Sequence, residues 1–418
     1  MDNKFFSASK ITLLTLAMST SFQALSEINI SGFGTIGLGT TADKDESLYG
    51  YDDDVDFKQD SLFALQVTSD LGDKIGITAQ IIARGTDDWD PAFEWAFISY
   101  DVSDNWRLLF GRQRAPQKLY SDFVDVGYAY HWISPPSGLY SPSFDSFDGV
   151  GSIYNSTLGE FDSTLHLLLG RTADNPFGDA VSKIDISNYY LASYTLSNEN
   201  YTARMALGQR DVLVTIPGVD GDLAGGLVAL GAGLDQALST GIDYQGLADS
   251  IIIDDSTTVL TVALKADYDW GFAVAEWEKN DYGDNFLGET DNWYVSAGIK
   301  DDAFVYHITY GATETMVNDL DRLAPISNVL NSIPPALEAA LAPLTVPFGQ
   351  LVAGANSTLR SQIIDEKYIT VGVRWDFHES AALKLEYTDF SDDYVNPYNP
   401  EDSSQDASVL RMAISTIF

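Results

Sequence analysis

The feature that most constrains the fold is a two-residue alternation of apolar and polar side chains that recurs along the whole chain. Phe63, Leu65 and Val67 share one side of the first clear example, and Leu410 shares a side with the terminal Phe418 in the last. Successive side chains of a strand point to opposite faces, so each segment is a strand with one apolar face. About sixteen such segments of roughly ten residues occur, the length that a tilted strand needs to cross an outer membrane. The pattern indicates an all-β fold, either a sandwich or a barrel in lipid.

The connections between these segments favour the barrel. Tight turns such as "LGDK" near 71 and "VSDN" near 102 alternate with long connections. Short turns on one rim and long loops on the other are typical of bacterial transmembrane barrels. Trp89, Trp106, Trp270 and Trp375 lie near strand ends, where interfacial aromatic girdles are expected. We therefore predict a transmembrane antiparallel β-barrel of about sixteen strands, with short helical insertions in its long extracellular loops.

The N-terminus predicts export. Two lysines precede an apolar run from Ile11 to Met18, and the small residues Ala24 and Ser26 follow. This order is typical of a secretory signal peptide over residues 1–26, which leaves 27–418 as the barrel domain. The chain has no cysteine, so disulfides and thiolate metal sites are excluded.

Composition and motifs exclude several functions. A formal net charge of −38 argues against a nucleic-acid partner. The four histidines lie in no HExxH or paired metal spacing, so no metal and no cofactor is expected. An outer-membrane barrel enzyme stays as a minor alternative. The acidic loops at 43–57 and 391–406 could bind divalent cations that bridge lipopolysaccharide, or could simply be solvated.

Several motifs occur in a familiar order: the signal peptide, a first strand with "ISGFGTIG", a "LLFGRQ" strand that leads into a long loop, and the terminal Phe418. In this order the chain resembles the general porin family of Gram-negative outer membranes. The resemblance implies an integral barrel among outer-membrane lipid and lipopolysaccharide. It also implies a homotrimer, with a water-filled channel through which ions and small hydrophilic solutes diffuse passively. In that family the barrel-assembly machinery reads the terminal phenylalanine, the role implied for Phe418.

The third long connection, residues 112–149, is the candidate constriction loop. It is aromatic and stiffened by three prolines, and the resemblance implies that it folds into the pore; the alternative is a surface loop. The expected loop residues are Asp122, Asp125, Tyr128, Tyr130, Trp132, Tyr140, Asp145 and Asp148. The family's glycine pair at the loop tip is replaced by "SPPSG", so this loop departs from the family pattern.

Basic residues that alternate with apolar neighbours predict the opposite wall. An arginine at the bilayer midplane costs about 2–4 kcal/mol, so these side chains are expected to line the pore. They are Arg84, Arg107, Arg112, Arg204, Arg210, Lys265, Arg374, Lys384 and Arg411. Facing the loop carboxylates, they predict a transverse field that filters ions by charge.

Two insertions, at 211–255 and 314–364, lose the two-residue period. Leu223, Leu227, Leu230 and Leu234 in the first have helical spacing, which predicts short helices at the mouth; disordered insertions are the alternative. The function predicted is a diffusion porin. A channel selective for oligosaccharides is the alternative, with Tyr128, Tyr130, Trp132 and Tyr140 as a stacking track.

Overall fold

The computed structural model describes residues 28–44, 46–140, 146–174, 183–215, 224–249, 253–283, 287–316, 324–360, 364–393 and 406–418. The signal peptide predicted over 1–26 lies outside the described residues.

The chain forms a closed antiparallel barrel of sixteen strands, which confirms the predicted fold. Each strand pairs with its neighbours in sequence, and β1 also pairs with β16, so the sheet has no free edge. The strands are β1 (Ile28–Thr41), β2 (Leu62–Gly72), β3 (Ile75–Arg84), β4 (Pro91–Ser103), β5 (Trp106–Arg114), β6 (Ser146–Leu158), β7 (Phe161–Asp174), β8 (Lys183–Ser197), β9 (Tyr201–Thr215), β10 (Ile253–Tyr268), β11 (Gly271–Asp281), β12 (Glu289–Asp301), β13 (Phe304–Met316), β14 (Asp365–His378), β15 (Ala381–Asp392) and β16 (Ala407–Ile417).

The alternation in the sequence sorts side chains between the two faces of this wall. On β2, Phe63, Leu65 and Val67 are exposed on the outside, whereas Ala64 points inward and is fully buried. Lipid offers no partner for an unpaired backbone group, so a spanning sheet with an apolar exterior must close on itself. The pairing of β1 with β16 makes this closure, and Phe418 stacks on Phe63 on the outer face, with ring centroids 5.6 Å apart.

One glycine shapes the entry to the third long loop. Gly111, near the end of β5, has φ +128°, and a Cβ at this position would lie 2.3 Å from the carbonyl oxygen of Ala96. A side chain would therefore collide with the neighbouring backbone in a conformation that glycine alone adopts readily.

Helices lie in the long connections. They are α1 (Ser137–Tyr140), α2 (Ala224–Leu238), α3 (Tyr244–Asp249), α4 (Ala324–Asn331) and α5 (Pro335–Arg360). Leu227 and Leu234 of α2 pack with Phe348 of α5 in one buried cluster, and this cluster continues onto Leu168 and Leu191 of the inner wall. The predicted helices are thus present, although α5 is longer than expected. Its stretch Pro335–Ala353 is long and apolar enough to cross a membrane by length and composition alone.

Candidate functional site

The connection between β5 and β6 folds into the barrel and lies against the inner face of β11 to β15. The indole Nε1 of Trp132 donates a hydrogen bond of 2.8 Å to Thr309 Oγ1 on β13, and only 2% of this residue is exposed. The backbone N–H of Ile133 donates to a carboxylate oxygen of Glu386 on β15 at 2.8 Å. These contacts hold the middle of the loop to one side of the lumen.

Two cations of the predicted basic wall bind the backbone of this loop. Lys384 on β15 is fully buried, and its ammonium donates to the carbonyl oxygens of Gly127 and Trp132. Arg374 on β14 donates to the carbonyl oxygens of Tyr128 and Tyr130, each at 2.7 Å. Charged donors make stronger hydrogen bonds than neutral donors, so these side chains act as anchors of the loop.

Buried carboxylates on the same wall complete the attachment. Glu276 on β11 accepts hydrogen bonds from the backbone N–H of Leu119 at 2.7 Å and from the hydroxyls of Tyr140 and Tyr294 at 2.7 and 3.0 Å. A buried carboxylate with three donors is fully engaged by the loop and by its own wall. Tyr140 therefore serves as an anchor as well.

Arg411 on β16 lies in a second buried network. Its guanidinium contacts Glu386 at 2.8 Å and Asp60 at 3.3 Å, and it donates to Ser134 Oγ at 2.9 Å. Asp60 also accepts a hydrogen bond from the hydroxyl of Tyr51 at 2.8 Å. The first long loop is therefore tied to the barrel interior together with the third loop.

A third network ties the N-terminal part of the loop to β3, β4 and β5. Asp125 lies 3.0 Å from Arg84 and 2.5 Å from Arg114, and both arginines also contact Glu94. Burial by itself raises the pKa of the Asp125 carboxyl, but the positive charges of Arg114 and Arg84 outweigh burial and lower it to about 2. Asp125 therefore stays charged and paired at any physiological pH.

The remaining predicted cations occupy different places. Arg204 contacts Asp122 at 2.8 Å and the carbonyl oxygen of Lys118 at 2.5 Å. Arg210 lies over the ring of Tyr189. Lys265 pairs with Asp267 at 2.9 Å, and Arg107 pairs with Asp101 at 2.6 Å.

Two predicted site residues lie elsewhere than expected. Asp148 is part of β6 and not of the loop, and it is paired in register with Arg112 of β5. Both share the outward face with Phe110 and Val150, which are exposed apolar residues, so neither lines the pore. Opposite residues of an antiparallel pair point to the same face, which fixes this assignment. Asp145 lies outside the described residues.

Open space remains on the other side of the loop. Two neighbouring cavities of about 550 and 310 Å³ lie between the loop and, mainly, strands β1 to β9, and Trp95, Arg114 and Asp122 border both. A cavity of about 20 Å³ lies between the loop and β13 to β16, and Tyr49 and Trp132 are among the residues that line it. The cavities of about 550 and 310 Å³ therefore lie on the β1 to β9 side of the loop.

The sequence analysis missed the carboxylates that hold the loop. Glu276 and Glu386 lie on the inward face of their strands, so the parity argument that was applied to lysine and arginine would have identified them. Arg114 and Glu94 lie at the end of β5 and near the start of β4, where the alternation gives no clear signal. Within the described part of the chain, no three His, Asp or Glu side chains form a group that could hold a metal ion.

Comparison with known proteins supports the fold. No protein-family model and no curated protein sequence matches the chain. Among solved structures, the outer membrane channel DcaP of Acinetobacter baumannii is similar, with TM-score 0.54 and 13% identity over 95% of this chain and 98% of that one. OmpF of Salmonella typhi, in complex with daunomycin, has TM-score 0.53 and 11% identity, with 94% and 98% covered.

A third similar structure is the in-vitro folded trimer form of OmpT, an outer membrane protein of Vibrio cholerae. It has TM-score 0.52 and 12% identity, with 94% of this chain and 99% of that one covered. Identities this low establish likeness of fold only. The closed barrel and its apolar exterior are those of a porin-like transmembrane β-barrel of the Gram-negative outer membrane.

Proposed function

We propose that this protein is a porin-type channel and not an enzyme, and that ions and small hydrophilic solutes diffuse through it passively. The observation that carries the proposal is the one-sided packing of the inner loop. The loop is attached to the β11 to β15 wall by buried charge-assisted hydrogen bonds, and cavities of about 550 and 310 Å³ lie on its other side. A loop that narrows a barrel without filling it is suited to size selection.

The lining of the larger cavity supports a passage for hydrophilic solutes. Gln66 and Gln80 point into the lumen and are joined by a hydrogen bond of 2.9 Å, and Arg114, Asp122 and Asp125 border the same space. Polar and charged groups in a pore wall replace part of the hydration shell of a passing solute, whereas an apolar wall would favour loss of water from the pore.

Single-channel conductance in a planar bilayer tests this function. The folded protein is expected to open a pore that conducts ions steadily. Gln80→Trp adds a large ring to the cavity and is expected to lower the conductance, while Gln209→Trp, on the exposed outer face of β9, leaves it unchanged. Absence of conductance from correctly folded protein would refute the proposal.

The assembly and the partners are part of the same proposal. We infer a homotrimer, supported by the similar barrel of the OmpT trimer form, and contacts with outer-membrane lipid and lipopolysaccharide. Phe418, exposed on the outer face at the end of the last strand, is proposed as the signal for the barrel-assembly machinery. Native mass spectrometry of detergent-solubilised protein would refute the trimer if it found monomers alone.

An oligosaccharide-selective channel is the second candidate. Three of the four rings of the stacking track named from the sequence are occupied by the wall, because Tyr130 and Trp132 are buried against it and the hydroxyl of Tyr140 is bound to Glu276, whereas Tyr128 is half-buried. A different aromatic surface, that of Trp95 and Phe97, borders the open side of the loop.

A further inference from the structure

The smaller cavity on the open side of the loop has the properties of a binding site. Its volume is about 310 Å³, at the lower end of the range of small-molecule sites. Inward-facing residues of β4 to β9 and the loop residue Asp122 enclose it. It adjoins the larger cavity at Trp95 and Arg114, so a solute in the passage can reach it.

One side of the cavity is aromatic. Trp95 and Phe97 lie two residues apart on β4, with ring centroids 6.3 Å apart, and the apolar side chains of Leu109 and Ile153 lie beside them. Such an aromatic surface packs against the C–H face of a saturated ring, and its ring faces form no hydrogen bond with the ligand. It favours a flat ligand with one apolar face.

Arg114, Arg204 and Asp122 are the charged residues that line the cavity, and their charges cancel when their ion-pair networks are included. Arg204 is paired with Asp122, while Arg84 and Arg114 are paired with Glu94 and Asp125. These three arginines and three carboxylates have no formal net charge. A neutral ligand therefore enters without an unpaired charge, whereas an anion would meet carboxylates and a cation would meet guanidinium groups.

Several residues that border the cavity carry hydrogen-bonding groups. Among the described residues, no partner is found for the buried atoms Trp95 Nε1, Gln113 Oε1 and His166 Nε2. The carboxylate of Asp122 is 47% exposed, and one of its oxygens binds Arg204. The exposed part of this carboxylate can accept a hydrogen bond from a ligand hydroxyl, so a ligand that carries hydroxyl donors is favoured here.

A sugar ring combines these properties, because each hydroxyl both donates and accepts, the ring carries no charge, and one of its faces is apolar. We propose that the cavity bordered by Trp95, Phe97, Asp122 and Arg204 is a binding site for one neutral, polyhydroxylated ring of a saccharide. This inference rests on the proposed channel function, because the ligand reaches the site through the passage.

Maltose is a suitable probe, added to the full-length folded protein in a planar bilayer. We expect a concentration-dependent, saturable block of the ionic current. Trp95→Leu removes the stacking surface and is expected to weaken the apparent affinity about tenfold, near the upper limit for one aromatic contact. The matched control is Trp375→Leu, where the tryptophan is exposed on the outer face. Asp122→Asn, which keeps the size of the side chain, is the second variant if Trp95→Leu fails to fold.

The outcomes separate the two proposals. Conductance without a saturable effect of maltose, or the same block in Trp95→Leu and Trp375→Leu, overturns the site and leaves the channel intact. Block by citrate or spermidine but not by maltose also overturns it, in favour of a charged ligand. If the folded protein does not conduct, the channel function fails. Calorimetric titration of the protein in detergent with maltose then still tests the saccharide site. Maltose binding that is lost in the Asp122→Asn variant supports the site, and absence of maltose binding overturns it.

Discussion

Lys384→Met tests whether a single buried ammonium keeps the inner loop on its wall. Methionine has nearly the same length and no donor, so the carbonyl oxygens of Gly127 and Trp132 lose their shared partner. Each buried acceptor left without a donor costs about 1–3 kcal/mol. Part of this cost is offset, because the variant no longer buries a charge. We expect the free energy of loop docking to fall by about 2–4 kcal/mol, which corresponds to roughly a 30-fold to several-hundredfold higher population of the undocked loop.

Hydrogen exchange followed by mass spectrometry measures this population. In the docked loop the amide of Ala129 donates to the carbonyl oxygen of Val126, and the amide of Ile133 donates to Glu386. Both are expected to exchange faster in the variant by the factor given above, while the amides of β15 and β16 keep their rates because the barrel ladder is intact.

The control for this experiment is Lys367→Met. Lys367 also forms an ion pair, with Asp393 at 2.5 Å, but it is partly exposed and its ion-pair partners, Asp365 and Asp393, lie outside the loop. Exposed pairs contribute about 0–1 kcal/mol, so loop exchange should not change. If the loop amides of Lys384→Met exchanged within about threefold of the wild-type rates, the role of Lys384 as an anchor of the loop would be refuted.

Further predictions concern pH, selectivity, assembly and the helices at the mouth. Burial, and after it the neighbouring His307, lowers the pKa of His131 well below its usual 6.5, so the docked loop favours the neutral form of this histidine. Docking of the loop should therefore weaken as the pH falls below 6.5. Trp132 fluorescence that does not change between pH 7 and pH 5 would contradict this. Because the inner arginines are paired and the net charge is −38, a cation preference is expected that fades as salt screens the mouth; reversal potentials that do not change with salt would argue against this origin. Phe418→Ser should reduce the amount of folded barrel in the outer membrane but not secretion to the periplasm, as measured by fractionation, with Phe304→Ser on the outer face as control; equal insertion would remove the basis for the role of Phe418. Leu227→Asp buries a charge between α2 and α5 and should loosen these helices, detected as faster proteolysis at the mouth of an intact barrel; unchanged proteolysis would show that this contact is dispensable.

The barrel itself could be predicted from local sequence. Alternation fixes which side chains face lipid, and each strand pairs with the strands next to it in the sequence, every second pair being joined by a short turn. The outward position of Arg112 also follows from this alternation, since Arg112 is two residues from the exposed Phe110. The prediction that Arg112 lines the pore was therefore wrong.

The attachment of the inner loop depended on tertiary structure. Ile133 and Glu386 are 253 positions apart, and Leu119 and Glu276 are 157 positions apart, so no local period relates them. Closure of the barrel brings the inward carboxylates of β11 and β15 to the same side as Lys384 and Arg374, and buried charges must find partners there. These cations therefore bind loop carbonyl oxygens and do not stand free across an opening. The cavities bordered by Trp95 lie on the opposite side of the loop. Which half of the lumen the loop fills depends on the folded wall, because the side chains that bind the loop come together only when the barrel closes.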